Sequence, residues 1–193
     1  NSLFKLKTSD SFINSAYTLN SAYKNVSFKN IIIKNKNFRN IAFDNVIFEN
    51  TTFQNTTFEN VIFNNVIFLN VDIYDTKIIN FSMNNSSFQS SYLTDNLIKD
   101  GRFNKVNYYS SILDNNYFDA IKISNSNLLN AELNYNKYKY VEFININFTN
   151  KKFFDSIFEN VLFLNVNFTN TKFQNCMENM LNFSTFHKSY ENY

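Results

Sequence analysis

Few side chains in this chain have the chemistry of a catalytic centre. His187 is the only histidine and Cys176 the only cysteine, so a Ser-His-Asp or Cys-His arrangement would have to include His187. A zinc site needs more His and Cys ligands than these two. The single glycine is too few for a phosphate-binding loop. The residue types therefore predict that the protein is not an enzyme and has no catalytic residue, metal, cofactor or small-molecule substrate.

Three carboxylates come closest to a ligand set. Asp72 and Asp75 are three residues apart, and Asp95 follows Asp75 at a distance of twenty residues. Carboxylate oxygens suit a hard cation. Scattered surface charge explains these residues much better, so we predict no metal site.

The basic residues have a regular spacing but an unfavourable distribution for nucleic acid. The net charge is +2, with seven Lys and Arg against one acid in residues 1–40 and two against seven acids in residues 41–100. Four of the basic residues follow one another at intervals of five: Lys24, Lys29, Lys34 and Arg39. In the fold predicted below they form a belt around the chain rather than a stripe along it, which suits a phosphate backbone poorly. We therefore expect no nucleic-acid binding.

These residues are positioned by a five-residue repeat. Each of the 31 positions from Tyr23 to Phe173 at this spacing is Phe, Ile, Leu, Tyr or Met. The residue two positions earlier is mostly small or β-branched, and the residue two positions later is Asn in 21 of the 31 repeats. Two apolar residues separated by one polar residue are typical of a very short strand. Asn tolerates left-handed backbone, so it is the natural turn residue in a chain without proline.

The period of five excludes a helix and favours a coil. On an α-helix a spacing of five would make the Phe residues spiral around the axis instead of forming one face. A chain that turns by about a quarter circle per repeat closes after twenty residues, and successive turns stack as parallel β-structure. The sequence thus predicts an all-β fold, a right-handed quadrilateral parallel β-helix of about eight turns.

The repeat resembles the pentapeptide-repeat family. The units that carry the resemblance include VIFEN, TTFQN, TTFEN, VIFNN and VIFLN, and similar units cover residues 21–175. The family resemblance implies a right-handed quadrilateral β-helix with the Phe residues stacked inside. The Phe- and Asn-rich version is similar to the luminal domain of the synaptic vesicle glycoproteins that clostridial neurotoxins use as receptors. That similarity implies a luminal or extracellular domain; without it, a cytoplasmic location is the alternative.

Stacking by twenty residues predicts the contents of the core. One internal column would contain Phe28, Phe48 and Phe68, and a buried amide ladder would join Asn96, Asn116 and Asn136. Two lysines at inward positions, Lys36 and Lys151, should distort the coil locally or extend to solvent at a corner. Residues 89–140 keep the register but lose the Asn consensus, so we expect irregular corners there.

The two ends differ from the repeat and should cover it. We divide the chain into an N-terminal cap (1–20), the repeat (21–175) and a C-terminal cap (176–193). Met177, Met180 and Leu181 have near-helical spacing, which predicts a short helix in the last segment. This helix is also a candidate homodimer contact. No run of 18 apolar residues occurs, so we expect no membrane insertion.

Binding of another protein is the remaining class of function. Outward positions that should be polar are apolar on one side of the coil, and these candidate partner-binding residues are Ile47, Ile67, Leu69, Tyr109 and Leu129. An exposed end of the coil is a second candidate, because unpaired strands accept further strands. The alternative is a nucleic-acid mimic that binds a DNA topoisomerase, as the resemblance to pentapeptide-repeat proteins implies. That role calls for an acidic face.

Overall fold

The chain coils into stacked turns that pair in parallel. The computed structural model describes residues 17–187 and 190–192. Most strands pair with the strand twenty residues later, as in the register Phe28↔Phe48↔Phe68. About eight turns form in this way, which confirms the predicted parallel β-solenoid.

The described residues form strands and turns without a helix. The strands are β1 Tyr17–Lys24, β2 Ser27–Lys29, β3 Ile32–Lys34, β4 Asn37–Asp44, β5 Ile47–Glu49, β6 Thr52–Gln54, β7 Thr57–Asn64, β8 Ile67–Leu69, β9 Asp72–Tyr74, β10 Lys77–Asn84, β11 Ser87–Gln89, β12 Tyr92–Thr94, β13 Leu97–Asn104, β14 Asn107–Tyr109, β15 Ile112–Asp114, β16 Tyr117–Ser124, β17 Lys137–Lys139, β18 Glu142–Ile144, β19 Lys152–Phe154, β20 Ile157–Asn167, β21 Thr171–Gln174, β22 Met177–His187 and β23 Tyr190–Asn192.

Each turn has four sides, which we number as walls. In the second complete turn, wall 1 is 37–39, wall 2 is 42–44, wall 3 is Ile47–Glu49 and wall 4 is Thr52–Gln54, and each wall repeats every twenty residues. Walls 1 and 2 share one ten-stranded sheet, because strands such as β4 run through both. On every wall the central residue points inward and its two neighbours point outward.

The corners are left-handed residues, as the Asn column predicts. Every fifth residue from Asn20 to Asn175, except Asn130, has a φ between 47° and 59°. Asn tolerates this conformation better than most residues with a side chain. The corner amides also bond to one another: Asn60 Nδ2 donates to Asn40 Oδ1 (2.8 Å), and Asn80 Nδ2 donates to Asn60 Oδ1 (2.6 Å). The external Asn ladders therefore tie each turn to the next.

The core is a continuous stack of aromatic rings. Phe48 stacks on Phe28 at 5.1 Å between ring centroids and on Phe68 at 5.4 Å. It meets Phe53 of the next wall edge to face at 5.2 Å. Burial of each such ring contributes about 1.5–3 kcal/mol before the entropy cost is subtracted. The predicted internal stacking of the Phe column is confirmed.

The buried amide ladder is also present. Asn96 N donates to Asn116 Oδ1 (3.1 Å), and Asn116 N donates to Asn136 Oδ1 (2.8 Å). Each side-chain Nδ2 group donates to a backbone carbonyl of the preceding turn, for example Asn116 Nδ2 to Leu93 O at 2.6 Å. Because both the carbonyl and the amide of these side chains are bonded, the amides can be buried at little cost.

The two inward lysines differ from each other. Lys36 is half-buried, and burial lowers its pKa. Lys151 is only 7% exposed and does not extend to solvent. Its ammonium donates to the carbonyls of Leu129 (2.7 Å) and Ala131. The expectation that Lys151 would extend to solvent at the corner is wrong, because backbone carbonyls of the preceding turn replace water as acceptors.

The corners between residues 89 and 140 are more regular than predicted. Ser90, Lys105 and Ala120 have the same left-handed φ as the Asn corners. Backbone bonds such as Ser90 N to Tyr109 O (2.8 Å) hold the corner whatever its side chain. The one exception is Asn130, beside a turn in which Ala131 N donates to Leu128 O (3.0 Å).

The chain end departs from the prediction. Met177–His187 is a strand that pairs with β20, with Val161 opposite Leu181. A helix would leave the edge of β20 without backbone partners, whereas a further strand bonds to it. The predicted helical cap is therefore wrong for residues 177–187. The predicted cap at 1–20 lies mostly outside the described residues, and the division at 20 and 175 stays a prediction.

Candidate interaction surfaces

The potentially catalytic residues do not form a centre in the described part of the chain. Among the side chains described, no group of three His, Cys, Asp or Glu residues could hold a metal ion. Cys176 is half-buried with Sγ 3.5 Å from Phe153 O, and burial raises the pKa of its thiol. A raised pKa keeps a thiol protonated and unreactive. The side chain of His187 lies outside the described residues.

The three candidate carboxylates are not brought together. Asp72 lies on wall 4, whereas Asp75 and Asp95 occupy one corner in successive turns. Asp95 accepts a hydrogen bond from Asn115 Nδ2. This pair of corner carboxylates interrupts the Asn ladder rather than forming a cage of oxygen ligands.

The belt of basic residues is neutralised by the next turn. Lys24, Lys29 and Arg39 lie on three different walls, and each pairs with an acid twenty residues later, namely Asp44 (3.3 Å), Glu49 (2.6 Å) and Glu59 (2.9 Å). Lys34 on wall 4 faces Gln54 instead. The sequence shows that an acid follows each of these three basic residues after twenty positions, but the predicted belt of positive charge did not take these acids into account. The pairs leave neither a strong cationic belt nor a strong acidic face.

The five candidate partner-binding residues all lie on wall 3. Ile47 is directly opposite Ile67, and the other outward column runs Glu49, Leu69, Gln89, Tyr109. Leu129 follows in the turn after Asn127, which bridges to Asn107. Ile47, Tyr109 and Leu129 are 37%, 45% and 41% exposed, whereas Ile67 and Leu69 are half-buried.

Wall 3 is also free of charge over most of its length. Its outward residues from the third to the eighth turn are Ile67, Leu69, Ser87, Gln89, Asn107, Tyr109, Asn127, Leu129, Asn147, Thr149, Asn167 and Thr169. The other three walls carry charges over the same turns. Examples are Lys99 with Asp119 on wall 1 and Lys122 with Glu142 on wall 2. An uncharged, partly apolar wall is therefore a distinct surface of this solenoid.

A wide depression occupies the corner between walls 1 and 2. It has a volume of about 590 Å³ and surrounds Gly101, which has no side chain to cover the ring of Phe81. A Cβ atom at Gly101 would lie 2.1 Å from that ring, so the glycine makes room for Phe81 at an inward position. The cations at the rim are engaged, since Arg102 Nε donates to Ser82 Oγ and Lys122 pairs with Glu142. The depression therefore results from the packing of Phe81 against Gly101, and Asp100 is the carboxylate in its lining.

One family model matches part of the chain. Residues 8–88 match the family model of the SV2A/B/C luminal domain. The chain resembles that domain. No curated protein sequence matches the chain.

Solved structures that resemble the fold include both pentapeptide-repeat proteins and an enzyme module. QnrB1, a plasmid-mediated fluoroquinolone resistance protein, has a TM-score of 0.42 and 10% identity over 85% of this chain and 92% of its own. HetL, a pentapeptide-repeat protein from Nostoc sp. strain PCC 7120, has a TM-score of 0.30 and 9% identity over 82% and 87%. The A-module of the Azotobacter vinelandii mannuronan C-5 epimerase AlgE4 has a TM-score of 0.34 and 8% identity over 92% and 75%. Likenesses this distant carry no argument about function.

The described part of the chain contains no helix. None of the residues described here forms a helix long and apolar enough to cross a bilayer.

Proposed function

We propose that this chain is a non-enzymatic solenoid module that binds another protein through wall 3. The observation that carries the proposal is the absence of charge on wall 3 between Ile67 and Thr169, together with the apolar and aromatic outward residues of this stretch. The centres of protein interfaces are depleted in charged residues and enriched in aromatic ones. A continuous parallel sheet also presents these side chains on a rigid surface, which lowers the entropy cost of binding.

Tyr109 and Leu69 are the expected anchors of this surface. They belong to one outward column, separated by Gln89 alone. Truncation of a buried aromatic anchor commonly weakens a complex by more than about 2 kcal/mol. Both side chains point away from the core, so polar substitutions there should leave the solenoid folded.

Affinity capture with matched variants tests the proposal. Wild-type protein, Leu69→Asp, Tyr109→Asp and the control Ile62→Asp would be immobilised, and retained proteins compared by mass spectrometry. Ile62 is 45% exposed on wall 2, so its replacement introduces the same charge on another wall. We expect a protein that is retained by the wild type and Ile62→Asp but lost with both wall 3 variants. Retention that is equal for all four proteins would refute the role of wall 3.

The alternative, a nucleic-acid mimic that binds a topoisomerase, has less support. Three of the acids in residues 41–100 pair with cations of the preceding turn, which reduces any acidic face. A supercoiling assay separates the two functions. Inhibition of a topoisomerase that persists in Tyr109→Asp would favour mimicry over wall 3 binding.

A further inference from the structure

The uncharged stretch of wall 3 has its apolar side chains of greatest exposure at its centre. The stretch covers six turns, from Ile67 to Thr169, and its midpoint lies between the fifth and sixth turns. These two turns carry Tyr109 and Leu129, which are 45% and 41% exposed. The adjoining fourth and seventh turns have only polar outward residues. An aromatic and aliphatic centre is thus bordered on both sides by uncharged polar groups.

The amides of wall 3 have unused donors on one side of this midpoint and an unused acceptor on the other. Asn147 Oδ1 accepts from Thr149 N (2.9 Å) and Oγ1 (2.6 Å), and Asn127 Oδ1 accepts from Leu129 N (3.0 Å). The Nδ2 groups of Asn127 and Asn147 donate to no other described residue. Before the midpoint, Asn107 Oδ1 accepts from no described residue. The two halves therefore have complementary hydrogen-bonding groups.

A two-fold axis that runs parallel to the strands through this midpoint would match the wall to itself. The fifth turn of one copy then faces the sixth turn of the other, the fourth faces the seventh and the third faces the eighth. Tyr109 of each copy meets Leu129 of the other, and Asn127 Nδ2 faces Asn107 Oδ1. Both copies repeat every 4.8 Å or so, so the match persists over all six turns, about 29 Å.

We propose that wall 3 binds a second copy of this chain, with the two solenoids antiparallel about this axis. The inference rests on the proposed function, because it names the partner of the same wall. An uncharged face that meets itself brings no like charges together. Self-pairing of wall 1 would instead remove ion pairs such as Lys99 with Asp119 from water. A two-fold interface with an aromatic centre and a polar border also has the usual anatomy of protein interfaces.

The size of the strip sets the expected strength of the dimer. Six turns of three-residue strands form a surface about 29 Å long and about 10 Å wide. A contact of these dimensions lies at the low end for specific complexes. The dimer should therefore dissociate on dilution, and each copy should remain folded as a monomer.

Analytical ultracentrifugation over about a hundredfold range of protein concentration tests self-association. We expect the wild type to shift from monomer to dimer as the concentration rises. Tyr109→Asp and Leu129→Asp should each weaken the dimer at least about tenfold, because they place a carboxylate at the apolar centre. Ile62→Asp adds the same charge on wall 2 and should dimerise like the wild type. A wild type that is monomeric throughout, or an equal loss in Ile62→Asp, would overturn the proposal.

Cross-linking tests the antiparallel arrangement. In a Cys176→Ser background, Gln89→Cys and Thr149→Cys would be prepared separately, mixed and treated with a short bismaleimide. The fourth turn faces the seventh, so the mixture should cross-link efficiently, whereas each variant alone should not. A mixture of Gln89→Cys with Thr94→Cys on wall 4 is the control and should stay uncross-linked. Efficient cross-linking of Gln89→Cys to itself would contradict this arrangement.

Self-association and the proposed function can fail separately. A wild type that stays monomeric, while affinity capture retains a different protein through Leu69 and Tyr109, would overturn self-association and leave the role of wall 3 intact. Dimers that form equally well in Tyr109→Asp and Leu129→Asp would place the contact elsewhere and refute this inference. Their formation would not affect the capture result.

Discussion

Lys151 occupies an inward position that small residues fill in the adjacent turns. Ala131 precedes it and Thr171 follows it in the same column, and Thr171 Oγ1 donates to Phe148 O at 2.8 Å. Burial of the Lys151 ammonium lowers its pKa to about 8, although Glu132 counteracts part of this effect. The backbone carbonyls around Lys151 thus accommodate its long side chain. The free-energy cost of burying the ammonium depends on pH.

Replacement of this lysine should reveal that cost. Below pH 8 the Lys151 amine is charged in both the folded and the unfolded protein, so folding pays the full free-energy penalty of burying the charge. Between about pH 8 and 10.5 the folded amine is neutral while the unfolded one is still protonated, so wild-type stability should rise with pH. Lys151→Thr should therefore be more stable than the wild type at pH 7, by about 1–3 kcal/mol, and this advantage should shrink toward pH 10.5.

Urea denaturation at several pH values measures this effect. The exposed neighbour Lys152 supplies the control, since Lys152→Thr should show no comparable change over the same pH range. A stability difference between Lys151→Thr and the wild type that is constant from pH 7 to 10.5 would contradict the prediction.

At the scale of elements, the corners rather than the strands distinguish one turn from the next. Strands repeat a nearly constant inward pattern, whereas corner residues form ladders that some turns interrupt. Asn40, Asn60 and Asn80 are joined in one ladder, but Asp75 and Asp95 place two carboxylates at consecutive positions of another. No hydrogen bond joins these two carboxylates among the described side chains, because neither can donate when ionised.

Restoring an amide at this corner should stabilise the solenoid. In Asp95→Asn the new Nδ2 group can donate to Asp75, and the repulsion between two carboxylates is removed. We expect a gain of about 0.5–1 kcal/mol in unfolding free energy, smaller at high salt. The midpoint of urea denaturation at two salt concentrations measures it. Asp155→Asn at the same corner, beside Tyr135 and without an adjacent carboxylate, should change stability little; an equal gain there would speak against the ladder.

The whole molecule is a one-dimensional stack in which each turn contacts its two neighbours. Phe68 contacts Phe48 and Phe88 at 5.4 Å and 4.5 Å between ring centroids. The free energy of unfolding of such a stack is the sum of contributions from the individual turns and from the contacts between neighbouring turns. A substitution should therefore destabilise mainly the turn that carries it and the turns next to it.

Removal of one ring should show this locality. Phe68→Ala deletes a buried ring and should cost about 3–5 kcal/mol. Hydrogen exchange should speed up most in the turns of Phe48, Phe68 and Phe88 and least around Phe148. Phe154→Ala, which removes an outward ring, is the control and should cost much less. A uniform loss of protection along the chain would indicate global cooperativity instead.

The candidate partner surface could be predicted in outline but not in detail. Grouping residues by twenty placed Ile47, Ile67, Leu69, Tyr109 and Leu129 on one wall, because a constant period fixes which residues stack. The same grouping could have shown that acids follow the belt of Lys24, Lys29 and Arg39, but whether they bond depends on side-chain reach.

The sequence by itself determined the stack: the twenty-residue turn, the Phe column inside and the left-handed Asn corners. It could do so because inward positions tolerate few side chains and therefore keep a strict period. Only the tertiary structure decided that Lys151 is held by backbone carbonyls, that Met177–His187 is a strand, and that three lysines lie over rings near Tyr135. Outward and terminal residues have no such period, so their contacts depend on neighbouring walls and available edges.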